Sequence, residues 1–314
     1  MTGIPITNVN SNCSTGGTAL YQANNSVKSG LVECALALGF ERMKPGSLGT
    51  TFPDRPSPLA LFHQRTRELE QGMKAGTNFG PGAPRMFSNA GQEYCEKYSA
   101  DIVHFAKIGK LVHSSLSLVR SHAFIPAAKN HAHSKNNPYS QFRNGWTVQQ
   151  VLYSPKITNQ LTKFMCSPTS VSDCIISVPI SLIHVLCQDG ASCCVVASEA
   201  FVHAHNLENQ AIEIVALELE TDHPVSLESN SAMEVVGYSM TKRCADKVFA
   251  EAGFAPGKGR DEVGVIELHD CFAANEVCAC ECLRFDQYLS LLYLAHHVSG
   301  AWFVCPRCCS QDGR

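Results

Sequence analysis

The chain opens on a short apolar run, a polar turn and an amphipathic helix. The apolar positions that end near Val9 predict a strand, and residues 10–12 are of the types that form tight turns. Apolar side chains then recur at helical spacing over 18–27, and Ser14 suits the N-terminal end of that helix. A second apolar run over 32–40 predicts another strand. This order of elements is typical of an α/β protein.

Later segments repeat the alternation between helical and extended patterns. The helix predicted over 240–249 has one apolar face, with Gly253 at its C-terminal cap and Pro256 beyond it. We therefore predict an α/β fold along the whole chain. The other predicted helices span 59–73, 90–98 and 102–109, and the other predicted strands span 191–200, 211–219 and 263–268.

Cys13 lies at the turn before the first helix. Unpaired backbone N–H groups and the positive end of the helix dipole favour a thiolate at such a position. The pattern therefore predicts a nucleophilic cysteine. The alternative is a buried core cysteine, which is the commoner place for any one cysteine in a chain that contains 16.

The stretch Asn12-Cys-Ser-Thr-Gly16, followed by a helix and by Cys34-Ala-Leu-Ala-Leu-Gly-Phe-Glu41, resembles the nucleophile region of the thiolase superfamily. The similarity is strongest to the sterol carrier protein thiolases. It implies a thiolase-like layered αβαβα fold, incomplete in this chain, with Cys13 as the catalytic nucleophile. Further matches are Phe105–Gly109, Asn136–Phe142, Asp189–Gly190, Ala197–Ala200 and Ile266–Phe272.

His269-Asp270-Cys271-Phe272 follows a predicted strand, where functional side chains of α/β proteins collect. By the resemblance, His269 helps to form an oxyanion site for the thioester carbonyl, and Cys271 is the acid/base thiol. The alternatives from the residues alone are a structural core histidine and a small buried apolar side chain.

The resemblance implies a 3-oxoacyl-CoA thiolase, an acyltransferase of peroxisomal fatty-acid and branched-chain β-oxidation. An acyl group would be carried on Cys13 and transferred to CoA. CoA and acyl-CoA would be substrates, without a further cofactor, and the family forms homodimers.

Thiolases activate their nucleophile with a histidine from a Gly-His-Pro motif, and this chain contains no such motif. The loss of an activating base costs on the order of 10² to 10⁴ in rate. We therefore expect an inactive or weak thiolase. The alternative is a noncatalytic, shortened or misspliced product with a lipid- or partner-binding role.

The domain organisation follows the extent of the resemblance. Residues 1–167 are expected to form a partial N-terminal thiolase half, 168–276 a partial C-terminal half and 277–314 a tail outside the family. Because Met1 leads directly into a strand that belongs in mid-domain, we expect an amino-terminally shortened form. Two segments interrupt the family pattern, at 111–128 and 171–188, and we interpret them as retained noncoding sequence.

Composition restricts the partners and the location. A formal charge of −3 over 314 residues gives no electrostatic reason for nucleic-acid binding. The apolar runs at 174–187 and 288–304 contain His and Pro or Gly and predict no membrane span. The cysteine-rich tail has one CxxC, Cys305 to Cys308, and predicts no metal site. Peroxisomal location is implied by the resemblance alone, since no targeting signal is present and a cytosolic location stays open.

Overall fold

The structure is a computed structural model. It describes residues 3–41, 52, 54–73, 80, 82–102, 126–140, 143–158, 161–166, 190–264 and 266–283. The interruption at 171–188 lies outside these ranges, as do the predicted helix at 102–109 except for its first residue, most of the interruption at 111–128, and the tail beyond 283.

The described residues form helices and two strands, so the predicted α/β class is confirmed. The elements are α1 Thr15–Lys28, β1 Cys34–Glu41, α2 Ala60–Glu70, α3 Gly82–Tyr98, α4 Pro126–Ser134, α5 Val148–Leu152, β2 Gly190–Ala197, α6 Glu199–Ala204, α7 Val225–Glu228, α8 Ala232–Val235, α9 Tyr238–Glu251 and α10 Ala273–Leu283. Short 3₁₀ helices occupy Lys163–Met165 and Arg260–Glu262.

Strands β1 and β2 form an antiparallel pair that runs in register from Cys34 opposite Ala197 to Glu41 opposite Gly190. Helix α1 packs on one face of this pair, where Leu20 and Ala23 contact Ala37 and Val196. The side chains of that face are small because the start of the helix comes close to the strand. A Cβ atom added at Gly39 would lie 3.6 Å from the Cα of Gly16.

The outer face of the β1–β2 pair is apolar and exposed to solvent. Leu36, Leu38 and Phe40 are exposed by 59%, 50% and 77%, and Val195 opposite Leu36 by 65%. The strand predicted over 191–200 is therefore present but largely exposed, and not buried as its composition suggested. Apolar alternation identifies which residues share a face but does not specify what covers that face.

A second, tightly packed part is formed by α3, α5, α8, α10 and the 3₁₀ helix Lys163–Met165. Its largest buried cluster contains Val151, Leu161 and Met165 together with the first turns of α10. A half-buried carboxylate connects two of its helices. The Glu93 carboxylate of α3 accepts hydrogen bonds from the Ser231 hydroxyl at 2.6 Å and from the first backbone N–H groups of α8.

Three predicted strands are segments without regular secondary structure in the described residues. The predictions for the run ending near Val9, for 211–219 and for the described residues of 263–268 were therefore wrong as strand assignments. For 211–219 the reason is visible in its hydrogen bonds. The N–H of Leu217 donates to the Glu251 carboxylate of α9 at 3.2 Å, and the Cys244 thiol lies 3.6 Å from the carbonyl of Glu218.

The helices agree better with the sequence. Helix α2 lies within the predicted 59–73, and α3 starts earlier than the predicted 90–98 because Pro84 is accepted in a first helical turn. Helix α9 covers 240–249, and Gly253 takes a positive φ of 84° just after its end, as a C-terminal cap does. Among the described residues, no helix is both long enough and apolar enough to span a membrane.

Candidate functional site

Cys13 is held in a compact polar turn directly before α1. Asn12 adopts a positive φ of 52°, a backbone conformation that asparagine tolerates better than most residues. The turn is closed by a hydrogen bond from the N–H of Ser14 to the carbonyl of Ser11 at 3.1 Å. The Thr15 hydroxyl accepts from the N–H of Ser11 at 2.9 Å and donates to the carbonyl of Asn12 at 2.6 Å. The predicted turn and helix start are therefore confirmed.

The Cys13 thiol does not show the acidity that its place beside a helix start predicts. The residue is exposed at the surface, yet the protein around its sulfur raises the pKa of the thiol by desolvation. A hydrogen bond from its own backbone N–H lowers the pKa, but by less than desolvation raises it. The expectation of a favoured thiolate was therefore wrong for this conformation, because desolvation disfavours the charged form more strongly than one donor stabilises it.

Cys271 lies at the end of the segment 266–270, directly before α10, and is 9% exposed. Burial raises the pKa of its thiol well above the ordinary value, and electrostatic interactions with Cys13, Asp270 and Cys166 raise it further. Of these three interactions, the one with Cys13 raises the pKa most. The two thiols predicted from distant parts of the sequence therefore lie within the range of a direct electrostatic interaction.

His269 is two residues before Cys271, on the same segment. Burial lowers the pKa of its imidazole, which keeps the ring neutral at physiological pH. Its Nε2 atom is buried without a hydrogen-bond partner, and its backbone carbonyl accepts from Asn275 Nδ2 at 2.5 Å. A neutral imidazole with an unpartnered nitrogen can donate a hydrogen bond to a ligand oxygen.

Cys166 is a third thiol at this place, and sequence reasoning missed it. It is 5% exposed, and its backbone forms an isolated antiparallel bridge with Phe272. Burial raises the pKa of Cys166 to about 12, so this thiol is neutral. The only signal in the sequence was its position two residues before Pro168, and a single cysteine among 16 has no periodicity that would identify it.

Aromatic rings pack against the segment that carries these groups. The rings of Phe87 in α3 and Phe272 lie 5.1 Å apart, and Trp146 stacks on Phe164 at 4.4 Å. Within the described residues, no group of His, Cys, Asp or Glu side chains has an arrangement that could hold a metal ion. The tail cysteines considered for a metal site at Cys305 and Cys308 lie outside the described residues.

Comparison with known proteins identifies relatives with high sequence identity. No family model matches the chain. Sterol carrier protein 2 from Gallus gallus is 43% identical over 284 residues, which cover 90% of this chain and 44% of that protein. Non-specific lipid-transfer protein-like 2 from Caenorhabditis elegans is 32% identical over 320 residues, with 98% of this chain and 65% of that protein covered.

Solved structures overlap more loosely. The dimeric peroxisomal thiolase of Saccharomyces cerevisiae aligns with a TM-score of 0.49 and 13% identity, over 87% of this chain and 59% of that one. An overlap of this quality supports no inference about function.

The chain is a homologue of sterol carrier protein 2, so the resemblance drawn from its motifs is confirmed. It spans less than half the length of the sterol carrier protein 2 relative from Gallus gallus.

Proposed function

We propose that the chain is a thiolase-type acyltransferase that binds CoA thioesters and carries an acyl group on Cys13. The observation that supports this most is the placement of Cys13 within electrostatic range of Cys271, although 257 positions of sequence separate them (271 − 13 − 1). The unpartnered Nε2 of His269 on the same segment as Cys271 supports it further. Homology to sterol carrier protein 2 supports a reaction in lipid metabolism.

Each residue has one part in the proposed reaction. The Cys13 thiolate attacks the 3-oxo carbonyl carbon of a 3-oxoacyl-CoA, and the carbon–carbon bond next to that carbonyl breaks. The bonding electrons pass to the departing thioester as an enolate, whose oxygen would accept a hydrogen bond from His269 Nε2. The Cys271 thiol gives its proton to the enolate carbon. The Cys271 thiolate left by that step takes the proton of a second CoA thiol, whose sulfur attacks the acyl carbonyl carbon, and Cys13 leaves as a thiolate.

A raised pKa suits the part proposed for Cys271 but not the part proposed for Cys13. A neutral Cys271 is the form that a proton donor needs, so burial suits its part. A neutral Cys13 is the wrong form for a nucleophile, and the chain contains no Gly-His-Pro histidine to take its proton. We therefore propose that turnover is weak, lower by about 10² to 10⁴ than with an activating base.

The finer parts of the proposal follow the resemblance of the sequence motifs to sterol carrier protein thiolases. We propose peroxisomal β-oxidation of straight and branched 3-oxoacyl chains as the setting, and a homodimer as the working form. The yeast neighbour is described as dimeric and peroxisomal, but its overlap with this chain is too loose to carry either point.

The direct test is covalent capture of the acyl group. The purified chain is incubated with acetoacetyl-CoA, and peptide mass spectrometry locates any acetyl thioester. We expect acetylation of Cys13 in the parent chain and in Cys34→Ala, a matched control because Cys34 is also an exposed thiol. Cys13→Ala should carry none.

Labelling of Cys34, or equal labelling of all exposed thiols, would contradict the assignment of Cys13. Steady release of acetyl-CoA at the rate of an active thiolase would contradict weak turnover.

A second candidate is binding without catalysis, in which the chain holds an acyl-CoA or a lipid and releases it unchanged. The neutral state of Cys13 favours it, as does the name of the Caenorhabditis elegans relative, a lipid-transfer protein. Equal affinity for 3-oxoacyl-CoA in the parent chain and in Cys13→Ala, with no acyl-enzyme in either, would select this candidate.

A further inference from the structure

Two neighbouring residues of α4 contact the protein on both sides of the Cys271 segment. Asn130 Nδ2 donates to the Glu276 carboxylate of α10 at 3.0 Å. His131 Nε2 lies 3.1 Å from the backbone carbonyl of Phe164, two residues before Cys166. Because Cys166 pairs with Phe272 through its backbone, both contacts of α4 lead to residues adjoining Cys271.

The Glu276 carboxylate is connected directly to the segment that carries Cys271. The side chain is buried, with 1% of the residue exposed, and it lies in the first turn of α10. The backbone N–H of Glu276 donates to the carbonyl of Phe272 at 3.4 Å. A displacement of Glu276 would therefore move the first turn of α10 and, with it, Cys271.

Asn130 is well placed to compensate the buried carboxylate of Glu276. A buried carboxylate is costly unless donors compensate it, and an amide supplies two N–H donors without adding a charge. His131, the next residue, is 1% exposed, and burial lowers the pKa of its imidazole. This part of α4 is thus fixed by packing, which makes Asn130 a rigid partner for Glu276.

We propose that Asn130 is a positioning residue that, through Glu276, holds the Cys271 thiol in its buried place directly before α10. The proposal rests on the proposed function, which gives the reason for positioning Cys271: a proton carrier must be held near the acyl-bearing cysteine. Asn130 itself touches no reacting atom.

A swap of the two partners tests the proposal. Asn130→Asp places two carboxylates against each other and should displace the first turn of α10. The double variant Asn130→Asp with Glu276→Gln restores one amide and one carboxylate in exchanged positions. The readout is the rate at which iodoacetamide alkylates Cys271 in the full chain at pH 8, followed by peptide mass spectrometry.

Alkylation of Cys271 should rise in Asn130→Asp by about tenfold, since solvation of a buried thiol favours its thiolate and admits the reagent. The double variant should return to within about twofold of the parent rate, because the pair of partners is complete again. The groups that face Cys271, which are Cys13, Asp270 and Cys166, are unchanged in all variants.

Two controls separate positioning from general loss of stability. Asn25→Ala removes an exposed amide on α1, and Val248→Ala opens a cavity in α9, where Val248 is 4% exposed. Both should keep the parent rate of Cys271 alkylation at temperatures well below unfolding, although Val248→Ala should unfold earlier on heating.

A parent-like rate in a folded Asn130→Asp would overturn the proposal, and so would a double variant as reactive as the single one. If Asn130→Asp does not fold, the double variant decides. A folded double variant with the parent rate supports the proposal, and an unfolded or more reactive one overturns it. Since Cys271 alkylation needs no turnover, these results do not depend on whether Cys13 forms an acyl-enzyme.

Discussion

The two cysteines proposed for catalysis lie in parts of the molecule that are built differently. Cys13 is exposed and precedes a helix that packs on a two-stranded sheet whose other face is open to solvent. Cys271 is buried beside a cluster formed by α3, α5, α10 and a 3₁₀ helix. The comparison shows that the scaffold fixes the proposed proton carrier more firmly than the proposed nucleophile.

The difference also teaches what controls thiol acidity here. Both thiols have a raised pKa, and desolvation is the largest cause for each. Cys271 differs from Cys13 in its neighbouring titratable groups, since electrostatic interactions with Cys13, Asp270 and Cys166 raise the pKa of Cys271 further. A helix start beside a cysteine is therefore not sufficient to make it a thiolate when the surrounding protein removes water from the sulfur.

The largest contrast should appear when a large side chain is removed from each part. Met165→Ala should lower the free energy of unfolding by about 2–5 kcal/mol, because Met165 is 2% exposed and its removal leaves a cavity. Leu36→Ala on the open sheet face should cost no more than about 0.5 kcal/mol. Urea unfolding followed by circular dichroism measures both. A costly Leu36→Ala would mean that something covers that face in solution.

The second contrast concerns access to the two thiols. At pH 8, iodoacetamide should alkylate Cys271 on the order of a hundredfold more slowly than Cys13, since a buried thiol reacts only when the structure opens locally. The rate at Cys13 should itself keep rising with pH beyond the ordinary thiol pKa, because its pKa is raised. Peptide mass spectrometry at a series of pH values measures both rates. Equal rates would show that Cys271 is not enclosed as described.

A third contrast compares two carboxylates that both accept from a serine hydroxyl. Glu93→Gln should cost about 1–2 kcal/mol, because the Glu93 carboxylate also accepts from backbone N–H groups of α8 inside the packed part. Glu33→Gln should cost less than about 0.5 kcal/mol, since Glu33 is exposed and contacts Ser198 at the surface. Thermal unfolding of the two variants side by side checks the order, and a reversed order would refute it.

The smallest effect should be the change that His131→Gln makes in the loss of folding stability at acidic pH. Burial lowers the pKa of His131 in the folded state, so the unfolded chain binds a proton first as the pH falls below about 6.5. Stability contributed by neutral His131 is complete above that pH and is lost progressively below it. His131→Gln should therefore lose less stability than the parent between pH 7.5 and 5.5, by less than about 1 kcal/mol.

The exposed His203 provides the matched control for that titration. Hydrogen bonds and charge from Glu208 and Glu199 raise the pKa of His203, so its stabilising effect has the opposite dependence on pH. His203→Gln should not reduce the acid sensitivity of the chain. If it reduces that sensitivity as much as His131→Gln does, the assignment to His131 is wrong.

The sequence by itself determined the local elements and the family. The spacing of apolar residues predicted α1, α2 and α9, and the residues around Cys13, with His269 to Phe272, were specific enough to identify homologues of sterol carrier protein 2. These features depend on short stretches of chain, where period and turn chemistry act directly.

Only the tertiary structure decided the rest, because it depends on which distant residues meet. The segment 211–219 has a strand pattern, but its backbone bonds to side chains of α9, so no strand forms. The local sequence did not single out Cys166, Asn130 or Glu276 as site residues, and they gain importance through contacts with the Cys271 segment. The acidity of Cys13 was likewise decided by desolvation, which depends on the protein packed around the sulfur and not on the turn that presents it.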